Sequence, residues 1–309
     1  MSLVLSNRGD QNGSNFIIKI AEYMYAKKHN LKIYYTHDMP YQNSIFNLPF
    51  LKHGICKKKN ETPHNIFKDN QCGIRGRQIR SLINFKQDLF SYFHEHHQKE
   101  LYNIVKEEAI KKNFTLPWND NKNVICIHLR MSDGQRNEYD GSNIKDYDGS
   151  GASNYYNMLF EKNIDNINPI MDQCINWCKK NGYNWGNARH PDAQCCIDIN
   201  KLETLIIDFK KKYPDKKIYF VTKLPRKQNI NSYTKLASKY NIEILSNNNP
   251  DIDLWCLIHS DILVLSKSTF SMMAGYYFQG SQLHYPIWGT NTCAGLNTKY
   301  NKTNWYSYI

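Results

Sequence analysis

Between residues 202 and 265 the sequence switches between two periodicities so regularly that one class of fold remains. Leu202 to Tyr213 carries apolar side chains at helical spacing, and Lys217-Ile-Tyr-Phe-Val-Thr222 follows as a β-branched and aromatic run. The pattern then repeats: a helix over Asn231 to Tyr240, a strand Ile242-Glu-Ile-Leu245, a short helix Asp251 to His259 and a strand Asp261-Ile-Leu-Val-Leu265. Strands separated by helices of about ten residues are not hairpin partners. They pair in parallel through right-handed crossovers. The expected class is α/β with mostly parallel sheets.

A further strand lies upstream. Val124 to Leu129 is apolar and β-branched, opened by Asn121-Lys-Asn123 and closed by Ser132-Asp-Gly134. Arg130 stands where it runs out. In open α/β sheets ligands lie outside the carboxyl ends of the strands, and a guanidinium there offers a fixed fork of donors for phosphate oxygens. The alternative is an ion pair of Arg130 with Asp133 that only pins the turn. After the last strand comes Ser266-Lys-Ser-Thr-Phe-Ser-Met-Met-Ala-Gly-Tyr-Tyr277. A helix starting there has Ser268 or Thr269 near its N-cap. Free N–H groups, hydroxyls and the helix dipole then face an anion on the same sheet edge as Arg130. An ordinary Ser/Thr cap is the plainer alternative.

At the amino-terminal end, the strand Leu3-Val-Leu-Ser6 precedes the loop Asn7 to Ser14. An amphipathic helix over Asn15 to His29 and the strand Leu31 to Tyr35 complete a βαβ unit. The loop is not Gly-x-Gly-x-x-Gly, so a dinucleotide fingerprint is not supported. Residues 36–77 read as irregular, and residues 78–112 as one long helix containing His94, His96 and His97. Those histidines lack carboxylate or Cys partners at ligand spacing and read as a polar stretch. Residues 117–123 read as a linker. The polar stretch 132–154 carries Asp133, Glu138, Asp140, Asp146 and Asp148, with Arg136 among them. Cys174, Cys178, His190, Cys195 and Cys196 could hold zinc, but their spacing is irregular and buried thiols are the better reading.

The chain has 309 residues, a formal net charge of +12 and a sequence pI of about 9.1. Its Lys are scattered along amphipathic segments, which favours solvated helix faces and steering of an anionic substrate over nucleic-acid binding. No run is long and apolar enough to span a membrane. Nine Cys without a leader-like start lead to the expectation of reduced thiols and a cytoplasmic location. The sequons at Asn12, Asn60, Asn113 and Asn301 then read as products of an Asn-rich composition.

His128-Leu-Arg130 with Asp133 resembles the His-x-Arg-Arg-x-Asp motif of the α1,2-fucosyltransferases and their α1,6- and protein-O-fucosyltransferase relatives. Ser266 to Tyr277 resembles that family's Ser-x-Ser-Thr-Phe-Ser-x-x-Ala motif. Gly13-Ser-Asn-Phe16 is loosely similar to its amino-terminal Gly-x-Gly-Asn-x-x-Phe loop. The three patches bracket almost the whole chain in the family's order.

The resemblance implies a GT-B fold of two Rossmann-like domains: residues 1–117 on the acceptor side, and 118–309 on the nucleotide-sugar side with a variable 131–200 segment. It implies inverting transfer of a sugar, usually fucose from GDP-fucose, to a glycan hydroxyl, with no cofactor and no essential metal. Arg130 would match the arginine that binds phosphate and stabilises the leaving diphosphate. Ser268, Thr269 and Ser271 would match the hydroxyl cluster at the pyrophosphate. Asn15 would match the loop that closes over the donor, and the motif residues His128, Phe270 and Gly13 complete the expected donor-binding set. Asp133 or Glu138 is the expected base, although Asp133 could equally orient Arg130. The family's second Arg is Met131 here, so the donor is less fixed than the fold. The rivals are a glycosyltransferase of the same architecture using another donor (xylose, rhamnose or galactose) and a non-catalytic carbohydrate- or nucleotide-binding module.

Overall fold

In the computed structural model of the chain, the residues described are 2–5, 16, 19–20, 23–24, 26–35, 44–56, 89–119, 123–130, 197, 199–223, 231–246, 249–266, 268–286 and 305–308. They form two sheets whose strand pairs are all parallel.

The smaller sheet has the order β1-β2-β3, from Ser2–Leu5, Lys32–Tyr35 and Gly54–Cys56. Helical residues between 16 and 28 form α1, and Leu48–His53 forms α2. Helix α1 buries Phe16, Ile20, Tyr23 and Met24, the side chains that its spacing places on one face. It stops at Asn30, whose φ of 51° lets the Leu31 N–H reach back to the Ala26 carbonyl at 2.8 Å. The same Asn stop ends two later helices, at Asn113 and Asn241. Residues 36–77 are therefore not wholly irregular: α2 and β3 lie inside them.

Two helices follow, α3 (Leu89–His96) and α4 (Gln98–Lys111). The single helix expected over 78–112 is broken at His97, and residues 78–88 lie outside the described residues. His97 leaves helical geometry with its ring edge-on to Tyr23, centroids 5.3 Å apart. A tertiary contact there overrides helix periodicity.

The larger sheet collects β4 (Val124–Leu129), β5 (Lys217–Thr222), β6 (Glu243–Ser246), β7 (Ile262–Val264), β8 (Gln282–Pro286) and β9 (Trp305–Tyr308). Its spatial order is β6-β5-β4-β7-β8-β9. Counted from β4 as the first strand this is 3-2-1-4-5-6, the order of a doubly wound nucleotide-binding sheet. Helices α5 (Ile199–Lys212), α6 (Asn231–Lys239), α7 (Pro250–Ile258) and α8 (Thr269–Tyr277) occupy the crossovers. Every segment expected between 202 and 265 falls within a few residues of its predicted bounds, whereas β8 and β9 have no counterpart among the sequence-based expectations.

Strand β4 is buried along its whole length, as a central parallel strand must be. Its alternation serves two cores. Ile125, Ile127 and Leu129 face α5 and α6, packing with Leu202, Ile206, Phe209 and Leu236. Val124 and Cys126 face the other way, into a cluster that includes α7, α8 and α1 to α4. That second core crosses the expected boundary at residue 117: Phe16 of α1 lies 5.3 Å from the Tyr277 ring of α8. A polar tie crosses it too. The Ser44 hydroxyl donates to Asp251 Oδ1 at 2.6 Å and the Ile45 N–H to Oδ2 at 3.0 Å, with Asp251 buried in the first turn of α7.

Between α8 and β8 the chain turns against the end of α7. A Cβ on Gly280 would stand 2.2 Å from the Ser260 carbonyl oxygen and 2.5 Å from that of Asp261. Both obstacles are backbone and cannot swing aside. Gly280→Ala should lower the unfolding free energy by about 1–3 kcal/mol, read by urea denaturation; an unchanged midpoint would contradict this packing.

Candidate functional site

The winding of the larger sheet reverses at β4: β5 and β6 lie to one side, β7 to β9 to the other. Ile127 pairs with Phe220 of β5 and with Val264 of β7. The helices that follow β4 and β7 pack on opposite faces, α5 with Ile125 and Ile127 and α8 with Val124 and Cys126, the arrangement in which doubly wound sheets take their ligands in the crevice outside the strand ends. Arg130 follows β4 and the Ser266–Ser271 turn follows β7, so the sheet brings the two sequence-predicted groups to the same edge.

Alternation turns His128 to the face carrying Val124 and Cys126, toward that turn. Its Nδ1 lies 2.6 Å from Ser266 Oγ, and its ring lies 5.5 Å from Phe270. Burial, and then the neighbouring Arg130 guanidinium, push the His128 pKa down to about 3. The ring is therefore neutral at physiological pH, and Arg130 is the positive group at this strand end. The Thr222 hydroxyl donates to the Leu129 carbonyl at 2.7 Å and ties the end of β5 to the residue before Arg130.

Helix α8 starts as its sequence dictates. Ser268 is the N-cap in extended conformation, and its hydroxyl accepts from the Phe270 N–H at 3.2 Å. Ser271 Oγ accepts from the Ser266 N–H at 3.2 Å and lies 3.0 Å from both the Ser266 and Ser268 carbonyls. Ser266 and Ser271 are fully buried, so their hydroxyls shape the turn from inside. Thr269 and Phe270 are half-buried at the helix start. The first turn of any helix has N–H groups without intrahelical acceptors, backed by the positive end of the dipole.

Asp133, Glu138, Gly13 and Asn15 lie outside the described residues, as do Cys174, Cys178, His190, Cys195 and Cys196. Among the described residues no three His, Cys, Asp or Glu side chains group around a metal position, and no helix is long and apolar enough to cross a membrane. The histidines of α3 and its neighbour disperse: His94 bonds to Gly275 of α8, His96 packs on Tyr92, and His97 faces Tyr23. Cys126 and Cys256 are free, buried thiols. Burial and the nearby Asp253 carboxylate push Cys256 up to about 12, which excludes a thiolate nucleophile there. Sequence reading missed the links of Ser266 to His128 and of Thr222 to Leu129. Strand periodicity could have found the first, since it sets His128 on the face opposite Leu129.

No family model matches the chain, and no curated protein matches it in sequence. Solved structures give distant likenesses. POFUT1 in complex with GDP is 10% identical at a TM-score of 0.40, over 91% of this chain and 97% of that one. POFUT1 in complex with GDP-fucose is 10% identical at 0.40, over 90% and 96%. Apo POFUT1 is 11% identical at 0.39, over 89% and 94%. A likeness this distant carries no inference about function.

The depressed His128 pKa has a consequence for stability. The folded value, about 3, lies below the ordinary 6.5, so the unfolded chain takes up the proton first. Stability present above pH 6.5 is lost as pH falls toward 3, at up to about 1.4 kcal/mol per pH unit. Burial lowers His284 to about 4 and adds a similar slope. His128→Asn keeps a polar partner for Ser266 and should flatten the slope between pH 6 and 4 by up to about one proton, read by urea unfolding across pH. An identical slope would show that His128 does not titrate as a buried neutral ring.

Proposed function

We propose that the chain is a glycosyltransferase of GT-B type, divided near residues 117 and 118, that transfers a sugar from a nucleotide diphosphate to a glycan hydroxyl with inversion. Fucose from GDP-fucose is the donor best matched by the motif residues. The observation that supports the reading is that Arg130 and the start of α8 follow the carboxyl ends of β4 and β7, strands that pair in parallel where the sheet order reverses. A cation with a planar fork on the same sheet edge as a helix amino terminus suits a diphosphate, which needs both positive charge and directed N–H donors.

In this reading the acceptor oxygen forms a bond to the anomeric carbon while the bond from that carbon to the diphosphate oxygen breaks. Negative charge grows on the departing diphosphate, where Arg130 and the first turn of α8 oppose it without a metal. The acceptor proton passes to a carboxylate, for which Asp133 and Glu138 are the candidates. His128, being neutral, adds no charge and instead holds the Ser266 side of the turn. The net charge of +12 favours approach of an anionic donor.

A melting-temperature panel of GDP, UDP, GDP-fucose and UDP-sugars, with and without EDTA, tests the reading. A ligand at 100 times its Kd stabilises the native state by about 2.7 kcal/mol. GDP compounds should raise the Tm with EDTA present. A shift with UDP compounds alone would replace the donor. Arg130→Ala removes about two charge-assisted hydrogen bonds and should weaken GDP on the order of 100-fold while the apo Tm holds. Wild-type GDP affinity or transfer in that variant would overturn the role of Arg130, and binding of donor without transfer to any acceptor or to water would favour a non-catalytic module.

A further inference from the structure

Helix α8 is gripped at the end far from the crevice by side chains of another part of the chain. The Gly275 carbonyl lies 3.1 Å from His94 Nε2; a carbonyl only accepts, so Nε2 carries the proton and donates. The Phe278 carbonyl, at the C-cap, accepts from Gln98 Nε2 at 2.7 Å. His94 is on α3 and Gln98 opens α4, so the break at His97 lets the two donors approach successive parts of one helix end. Between them and the helix flank, Phe93 meets Tyr276 edge-on with centroids 5.2 Å apart. Helix α8 has no basic residue in its own last turn; these donors join the Gln279 side-chain amide, which donates to the Tyr277 and Phe278 carbonyls at 2.7 and 3.3 Å, in answering the negative end of its dipole.

We propose that His94 and Gln98 are positioning residues that hold α8 along its axis, and through it set the anion-facing turn at residues 266–271. A nine-residue helix is a stiff rod about 14 Å long, so a shift at its carboxyl end appears at its amino end. N–H donors aimed at a diphosphate lose strength steeply with misalignment, and small displacements far from a reacting centre reduce rates strongly. The far end is held by directional bonds and the near end by the Ser266, Ser268 and Ser271 network, so α8 is fixed at both ends. The link from His94 and Gln98 to ligand affinity rests on the function proposed above; the mechanical link to the turn does not.

The test uses the full chain with His94→Leu, which keeps bulk and removes the donor, and His94→Gln, which puts an amide N–H where Nε2 stood. Gln98→Leu is the independent second variant and carries the test if His94→Leu does not fold. The first readout needs no ligand: amide exchange of residues 270–274 in the apo protein. Exchange there should rise at least five-fold in the Leu variants and return toward wild type in His94→Gln, with α5 unchanged. The second readout is GDP affinity at a temperature where every variant is folded, expected to weaken about ten-fold in the Leu variants and to recover in His94→Gln. A purely structural role would lower Tm while leaving both readouts at wild-type values, and that result overturns the proposal. Faster exchange in the Leu variants, with no GDP binding even in wild type, supports the positioning role and rejects the function it was meant to serve.

Discussion

Parallel pairing of β4 to both β5 and β7 is the constraint on which the rest depends. A strand flanked on both sides must be buried on both faces, and Val124 to Leu129 is buried throughout. Because the chain winds away from β4 in two directions, crossover helices lie on both faces, and the carboxyl ends of β4 and β7 stand at the reversal point where such sheets take ligands. Had β4 been an edge strand, Arg130 and the start of α8 would not follow neighbouring strand ends. The polar ends of two apolar strands become one site through topology, without contact in sequence.

The two faces of this sheet have different duties. Among the described residues, the side holding Ile125 and Ile127 is covered chiefly by α5 and α6. The opposite side is shared with the amino-terminal part, through Phe16, Phe46 and Phe93 against Tyr276 and Tyr277, and through the buried Asp251 tie to Ser44 and Ile45. Helix α8 belongs to that shared face. It therefore joins the crevice at its first turn to the contact between the two sheets along its flank, which is the physical basis for treating α3 and α4 as supports of the site. His128 serves the same end at shorter range: a neutral, buried ring holds Ser266 without competing with Arg130 for an anion.

What the sequence disclosed was what local chemistry decides. The apolar run before Arg130, the Ser268 cap and the alternation from 202 to 265 each depend on neighbours a few residues away, and their elements lie where that chemistry places them. What escaped depends on distant partners. Strands β8 and β9 pair across a long connection, and Gln282-Leu-His-Tyr-Pro286 has no uniform apolar run to mark it. At the break, His97 packs on Tyr23, seventy-four residues earlier in the chain. Ser271 reads as one more hydroxyl of a cluster, yet helix geometry turns it back onto the Ser266 and Ser268 carbonyls. The two candidate bases and the amino-terminal loop fall outside the described residues.

A crystal structure of the chain with GDP tests the role of the crevice most directly. The diphosphate should lie between β4 and β7, with oxygens within hydrogen-bond reach of the Arg130 guanidinium and of first-turn N–H groups of α8. A diphosphate bound elsewhere, with Arg130 turned away from it, would contradict that role.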